Sequence, residues 1–259
     1  MVVAYDGSGF HGFAYQPGKR TVAGCLAEAI ATVARHGVSI VCAGRTDAGV
    51  HAQGQVIHVD VEHEVDVGSL MRSLNRMLAP EIVVREVAPA ERGFDARRSA
   101  RWRHYRYLVL QAPVDDPLMA HLAWRVGDPL SLRAMAGAAD VLIGEHDFSA
   151  FCRRPQGASP GAPILRRVMD ARWAEERLDS GVGSNVCAQV GSGERLLRFD
   201  IVAQAFCHQM VRSIVGTLVD VGRGKRPLGD VAWMLRSGSR SLVRTIAPPH
   251  GLCLVEVGY

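Results

Sequence analysis

Hydrophobic spacing along residues 1–97 switches between the two-residue period of a strand and the three-to-four-residue period of a helix, in the order βαββαβ. Few folds accept that order. A strand is expected over residues 2–5. A helix is expected over 21–35, with Thr21 as N-cap and Val22, Leu26, Ile30 and Val33 as its apolar stripe. The apolar run 39–43 and an alternating strand frame the octapeptide GRTDAGVH at 44–51. In that strand Ile57, Val59 and Val61 share one face, and Val56, His58 and Asp60 the other. A helix over 67–78, with Leu70, Leu74 and Met77 at helical spacing, and a strand over 82–87 complete the set. Such a unit is the split ferredoxin-like arrangement, an antiparallel sheet with its helices on one face.

The rest of the chain repeats the pattern. A strand over 104–110, a helix over 132–143 capped by Ser131 and ended by Gly144, and strands over 168–174 and 196–203 match the first four elements. A long helix over 207–221, a shorter helical stretch around 231–235 and a last strand over 252–257 follow. The predicted fold class is α+β, with two similar ferredoxin-like (RRM-like) units, residues 1–97 and 98–259, whose antiparallel sheets join around a central cleft. Two insertions are expected in the second unit: CRRPQGASPGAP at 152–163, placed to touch a partner, and a Gly/Ser-rich surface loop within 178–194.

With 48% hydrophobic and 22% charged residues among 259, the chain has the profile of a soluble protein able to bury a substantial core. There is no apolar run of about 18 residues, and the opening MVVAYDGSGF lacks the charged and apolar regions of an export signal, so a cytoplasmic protein off the membrane is expected. Cys25, Cys42, Cys152, Cys187, Cys207 and Cys253 form no C-x-x-C and accompany no histidines at metal spacing. They are expected to be small buried hydrophobes, with neither a zinc site nor a disulfide framework. A net charge of +4 identifies no partner by itself, but its distribution is uneven. RRSARWRHYRY at 97–107 interleaves Arg97, Arg98, Arg101, Arg103 and Arg106 with Trp102, Tyr105 and Tyr107. Arginines neutralise phosphates and aromatics stack on bases, so the stretch suits a nucleic acid; the alternative is a solvated arginine face.

In GRTDAGVH, Asp47 follows a cation, Arg45, and sits between Gly44 and Gly49, at the expected tip of a hairpin. Two readings fit: a catalytic carboxylate, or a turn aspartate that satisfies its own backbone. The helix over 207–221 is apolar nearly all round and includes Arg212. A buried guanidinium needs a carboxylate or several acceptors, so its partner is either Asp47 or the helix ends and Asp220. Tyr105 shares a strand face with Tyr107 and Val109, as a stacking or proton-handling group or as a core tyrosine. GSGFHG at 7–12 matches the dinucleotide-binding pattern, but Pro17, Gly18 and the capping Thr21 delay the helix that such a turn must open. No cofactor and no metal are therefore expected.

Taken together these segments resemble the tRNA pseudouridine synthase A (TruA) family over essentially the full length. YDGSGFHGF with TVAGCLAEAI, GRTDAGVH, LNRMLAPEIVV, FDARRSARWRHYRY, GEHDFSAF, HQMVRSIVGTLVDVG and APPHGLCLVEVGY follow in family order. The resemblance implies Asp47 as catalytic carboxylate, Arg45 as the residue entering the RNA, Tyr105 packing on the target base and Arg212 as ion-pair partner of Asp47. Arg97, Arg101 and Arg103, with Thr46 and His51 of the signature loop and Phe13 of the opening loop, become the expected RNA contacts. It further implies a homodimer acting on uridines at the 3′ side of the tRNA anticodon arm, with the target base flipped out and no cofactor. Whether Asp47 attacks C1′, adds to C6 or removes a sugar proton stays open. Departures from the family pattern fall at Phe13 with Ala14 and Tyr15, at Asp95 in FDAR, and at Gln209 and Ser213 in HQMVRS. Two other functions compete with this one: an RNA-binding module without catalysis, and a carboxylate-dependent small-molecule enzyme.

Overall fold

In the computed structural model, which describes residues 1–154, 161–176 and 194–259, the elements follow the chain in this order. First come β1 (Val2–Tyr5), α1 (Val22–Ala34), β2 (Val41–Cys42), β3 (His51–His58), α2 (Val67–Leu78) and β4 (Ile82–Glu86). Next are β5 (Trp102–Gln111), β6 (Trp124–Val126), α3 (Leu132–Asp140), β7 (Gly144–Asp147), β8 (Leu165–Glu176) and β9 (Arg195–Ala203). Then α4 (Met210–Gly222), α5 (Asp230–Ser237) and β10 (Leu252–Gly258) close the chain. The protein is mixed α+β. It divides into two compact units, Met1–Arg103 with Cys253–Tyr259, and His104–Leu252.

In the first unit β1 lies between β4 and β3, antiparallel to both, and β2 is antiparallel to the far end of β3. The other end of β3 takes β10 as a parallel neighbour, Cys253 opposite His51 and Leu254 opposite Ala52. The last strand thus belongs with the first unit. Helix α1 starts where Thr21 accepts the Gly24 N–H at 3.2 Å, and Val22, Leu26 and Ile30 are buried along one stripe. It ends at Arg35, in the left-handed region at φ 59°. Asp66 caps α2 by accepting from Ser69 at 2.7 Å, and Leu70 and Leu74 turn inward, while Met77 in the last turn is exposed. Asn75 then ties α2 to β4, since its side-chain amide exchanges two hydrogen bonds with the backbone of Val84 at 2.7 and 2.9 Å.

In the second unit β8 runs antiparallel to both β9 and β7, and β6 lies parallel to β5. Helix α3 packs on α4 and on β8. It is shorter than its periodicity predicts, ending at Asp140, and Gly144 opens the short strand β7 instead of closing the helix. Helix α4 also starts late. Gln209 stands at φ 62°, a left-handed conformation that a helix cannot contain, so residues 207–209 lead into the helix from outside. Every α4 residue except Arg212 is buried. Gly216 is required there, because a Cβ would collide with the backbone carbonyl of Thr245.

The expectation of six unpaired cysteines is corrected. Cys152 and Cys207 form a disulfide with their Cα atoms 5.7 Å apart, a pairing made by the fold across 55 residues and signalled by no local motif. Cys42 is buried and free, and Cys25 and Cys253 are half-buried. Cys187, the central part of the 152–163 insertion and most of the Gly/Ser-rich loop lie outside the described residues.

Candidate active site

The GRTDAGVH loop joins β2 to β3, so Asp47 does sit at the tip of a hairpin. Its neighbours differ sharply in exposure: Arg45 is exposed, Thr46 and Val50 are buried, and Asp47 is half-buried between them. Tyr5, at the end of β1, and the segment 7–13 that follows it hold the loop. Tyr5 Oη lies 2.8 Å from Thr46 Oγ1, and the Phe13 N–H donates to the Thr46 carbonyl at 3.1 Å. The Gly7 N–H donates to His51 Nδ1 at 3.1 Å. Gly7 must be glycine because a Cβ would strike the Val50 backbone, and Gly12, at φ 93°, passes just beneath Thr46 and Asp47. The Val50 N–H closes the turn on the Asp47 carbonyl at 3.2 Å.

Three of the expected RNA contacts lie inside the loop's support. Phe13, Thr46 and His51 are all buried, and the partners just named commit them to the loop's own architecture. Their place is beneath the tip. Sequence reasoning missed Gln55, whose side chain is fully buried and hydrogen-bonds both backbone groups of Gly44. A signal existed: Gln55 falls on the same face of β3 as the core residue Ile57, where an amide needs a reason to be.

The arginine stretch divides in the same way. Arg97, Arg98 and Arg101 are exposed. Arg103 is only 8% exposed and is turned inward, donating to the carbonyls of Ala43 at 3.0 Å, Arg97 at 2.7 Å and Ala100 at 3.1 Å. A guanidinium fork set on a short arc of carbonyls makes a brace between the arginine turn and the start of the GRTDAGVH loop, where the sequence predicts a phosphate ligand. Asp95, one of the departures from the family pattern, organises the same turn by accepting from the Arg97 and Arg98 amides at 2.8 Å each. Those backbone bonds, that of Arg98 foremost, hold its pKa below the usual carboxylate value. Burial pushes the Cys42 thiol up to about 11, against the opposing charges of Arg45 and Arg97, so this thiol is no nucleophile at neutral pH.

Tyr105 and Arg212 lie in the second unit. Tyr105 is 7% exposed, and its ring meets Phe206 edge to face at 5.0 Å and 84°. Phe206 carried no signal of its own beyond being aromatic. Arg212, the half-buried exception on α4, donates from Nε to the Ala247 carbonyl at 2.8 Å, while the Ala247 N–H returns a bond to the Arg212 carbonyl at 3.0 Å. The other two departures share one cation: Arg240 donates to Ser213 Oγ at 2.7 Å and to Gln209 Oε1 at 3.4 Å. Among the described residues no group of three or more His, Cys, Asp or Glu side chains is placed to hold a metal ion.

A carboxylate and a cation presented at a braced hairpin tip, on a chain with an exposed arginine turn, are groups suited to charge-based chemistry on an anionic substrate. Residues 1–97 and 138–259 match the family model described as tRNA pseudouridine synthase. The chain is 44% identical to the tRNA pseudouridine synthase A of Frankia casuarinae over 99% of this chain and 87% of that protein. Against the namesake enzymes of Streptomyces griseus and Cutibacterium acnes it is 39% identical, covering 99% of this chain with 86% and 87% of theirs. The chain belongs to the tRNA pseudouridine synthase family, whose members isomerise uridine to pseudouridine in tRNA. The family model leaves 98–137 unmatched, and with it Arg101, Arg103 and Tyr105, whereas the whole-chain relatives span that segment.

Proposed function

We propose that this chain converts uridine to pseudouridine at the 3′ side of the tRNA anticodon arm, with Asp47 as the catalytic carboxylate. The reaction breaks the bond from uracil N1 to ribose C1′, turns the base and forms the bond from C5 to C1′. The hydrogen on C5 leaves as a proton and N1 ends protonated, so the atoms balance with no oxidant, no reductant and no cofactor. Asp47 serves as nucleophile at C1′ or C6, or as the base that takes a sugar proton. One observation carries the reading: in a chain of this family, the loop presents Asp47 half-buried between the buried Thr46 and Val50, next to an exposed Arg45.

A uridine in the anticodon arm must leave its stack, at a cost of a few kcal/mol. Arg45 is the side chain assigned to fill the gap, and its exposure beside a fixed backbone suits that task. Tyr105, its ring set by Phe206, is assigned to pack on the extruded base, and Arg212 to pair with Asp47 and keep it ionised. Arg97 and Arg101 take phosphates, with Arg103 as their brace. The order of β4, β1 and β3, with β2 on the far side, supports a ferredoxin-like first unit. A second such unit, a cleft for the substrate, a homodimer that shares one tRNA and a cytoplasmic location complete the proposal.

The test follows from the lost C5 hydrogen. Unmodified tRNA transcribed with uridine tritiated at C5 should release tritium to solvent when mixed with this protein alone. Release from the free nucleoside, or none from any tRNA, would reject the proposal.

A further inference from the structure

We infer that Gln55 and Tyr5 are positioning residues for the reaction: together they form a buried clamp that fixes the backbone on both sides of Arg45 and so aims Asp47. This rests on the reading of Asp47 as the catalytic carboxylate. The Gln55 Nε2 donates to the Gly44 carbonyl at 2.6 Å, and the Gly44 N–H faces Gln55 Oε1 at 3.4 Å. The amide thus mimics a strand partner for Gly44, one residue before Arg45. Its Nε2 also lies 3.4 Å from Tyr5 Oη, which meets Thr46 Oγ1 at 2.8 Å, one residue after Arg45. Gln55 is 0% exposed and Tyr5 5%. The Gln55 and Tyr5 side chains are shielded from solvent, so a polar group that loses its partner in this relay is costly to re-satisfy.

The chemistry of the amide is specific. Only a donor fits the Gly44 carbonyl at 2.6 Å, and only an acceptor fits its N–H. A carboxylate at position 55 would set an anionic oxygen against that carbonyl. It would recover the donor only when protonated, and burial raises the pH at which this happens. The Phe13 and Val50 amides already hold the residues after Arg45, and the clamp adds side-chain ties on both sides of it from two positions in the core.

Steady-state kinetics on unmodified tRNA, tRNA binding, and hydrogen exchange of the 44–50 amides test the clamp in Tyr5→Phe, Gln55→Leu and Gln55→Glu. Asp47→Asn is run in parallel. Tyr5→Phe and Gln55→Leu should lower kcat by about 10- to 100-fold, the scale of a catalytic group displaced by about an ångström. Tritium-labelled tRNA should still bind with a Kd within about twofold of native, since the arginines proposed to take phosphates, Arg97 and Arg101, lie outside the 44–50 loop. The 44–50 amides should exchange faster. Gln55→Glu should regain kcat relative to the native protein as pH falls from about 8 to about 6, where a buried carboxyl protonates. A merely structural glutamine would not produce that profile. Native kcat in Tyr5→Phe and Gln55→Leu, with Asp47→Asn inactive, would overturn the clamp and leave Asp47 standing. A drop in activity matched by a drop in tRNA affinity would also overturn it. Full turnover by Asp47→Asn would instead remove the catalytic reading and the clamp's role with it. Should Gln55→Leu fail to fold, Tyr5→Phe, which deletes one oxygen, decides.

Discussion

The arginines of the stretch 97–103 do different jobs, and a mutation series separates them. Arg97 and Arg101 are exposed, whereas the Arg103 guanidinium is spent on three backbone carbonyls. Replacing Arg97 and Arg101 by Ala should reduce the slope of log affinity for tRNA against log salt by roughly one for each phosphate no longer neutralised, with the melting temperature unchanged. Arg103→Ala should do the reverse: the salt slope stays, and unfolding shifts by about 1–3 kcal/mol as the buried Ala43 carbonyl and two part-buried carbonyls lose the Arg103 donor. A salt slope altered by Arg103→Ala and untouched by the other pair would reverse these roles. At this scale the sequence displayed identities and spacing, which were enough to place the loop between two strands with Asp47 at its tip. It did not display direction. Arg101 and Arg103 look alike in a string of letters because both sit in a basic aromatic run, yet β5 begins at Trp102, between them, leaving one in the turn and the other in the strand.

At the scale of the element, strands β5, β8 and β9 share a polar cluster outside the candidate site. Asp200 on β9 is buried, and His104 and Arg106 of β5 bond to its Oδ1 at 2.8 and 3.1 Å, while Arg198 reaches Oδ2 at 2.6 Å. Arg198 also pairs with Glu176 of β8. Burial alone would raise the Asp200 pKa, but the His104 hydrogen bond and the charges of Arg106 and Arg198 outweigh it and bring the group from 3.8 down to about 2. A folded-state pKa below the unfolded one means that the unfolded chain protonates first as acid is added. The resulting stabilisation, about 2 kcal/mol at 1.36 kcal/mol per pKa unit, is present above about pH 4 and is lost between there and about pH 2. Asp200→Asn should remove that acid-dependent step in a denaturant titration; an unchanged pH profile would contradict the assignment. Gly216 offers a second test, of packing against propensity. Ala is the better helix former by about 1 kcal/mol, yet a Cβ there meets the Thr245 carbonyl, so Gly216→Ala in α4 should destabilise, by about 1–3 kcal/mol. A rise in melting temperature would show that the 245–247 segment yields. The longer helices were legible because their signals are local: Thr21 and its stripe for α1, Leu70 with Leu74 for α2. Strands β6 and β7, of three and four residues, are too short for alternation to register.

For the molecule as a whole, the order of elements could be read from the sequence, and their long-range pairing could not. The C-terminal strand β10 returns to lie parallel to β3, about two hundred residues earlier, and no periodicity announces such a partner. The Cys152 to Cys207 pair and the clamp from Gln55 to Gly44 are hidden for the same reason: each joins positions that only the fold brings together. Function was more legible than packing, because GRTDAGVH and the segments around it are specific as letters, and their family proved to be that of the whole chain. The decisive experiment is to map pseudouridine by carbodiimide in an unmodified tRNA transcript incubated with the native protein and with Asp47→Asn, no cofactor being added. Conversion is expected at the 3′ side of the anticodon arm with the native protein and none with Asp47→Asn, both being folded and both binding the tRNA. Conversion by Asp47→Asn at the native rate, or binding without conversion by the native protein across a panel of tRNAs, would contradict Asp47 as the catalytic carboxylate of this chain.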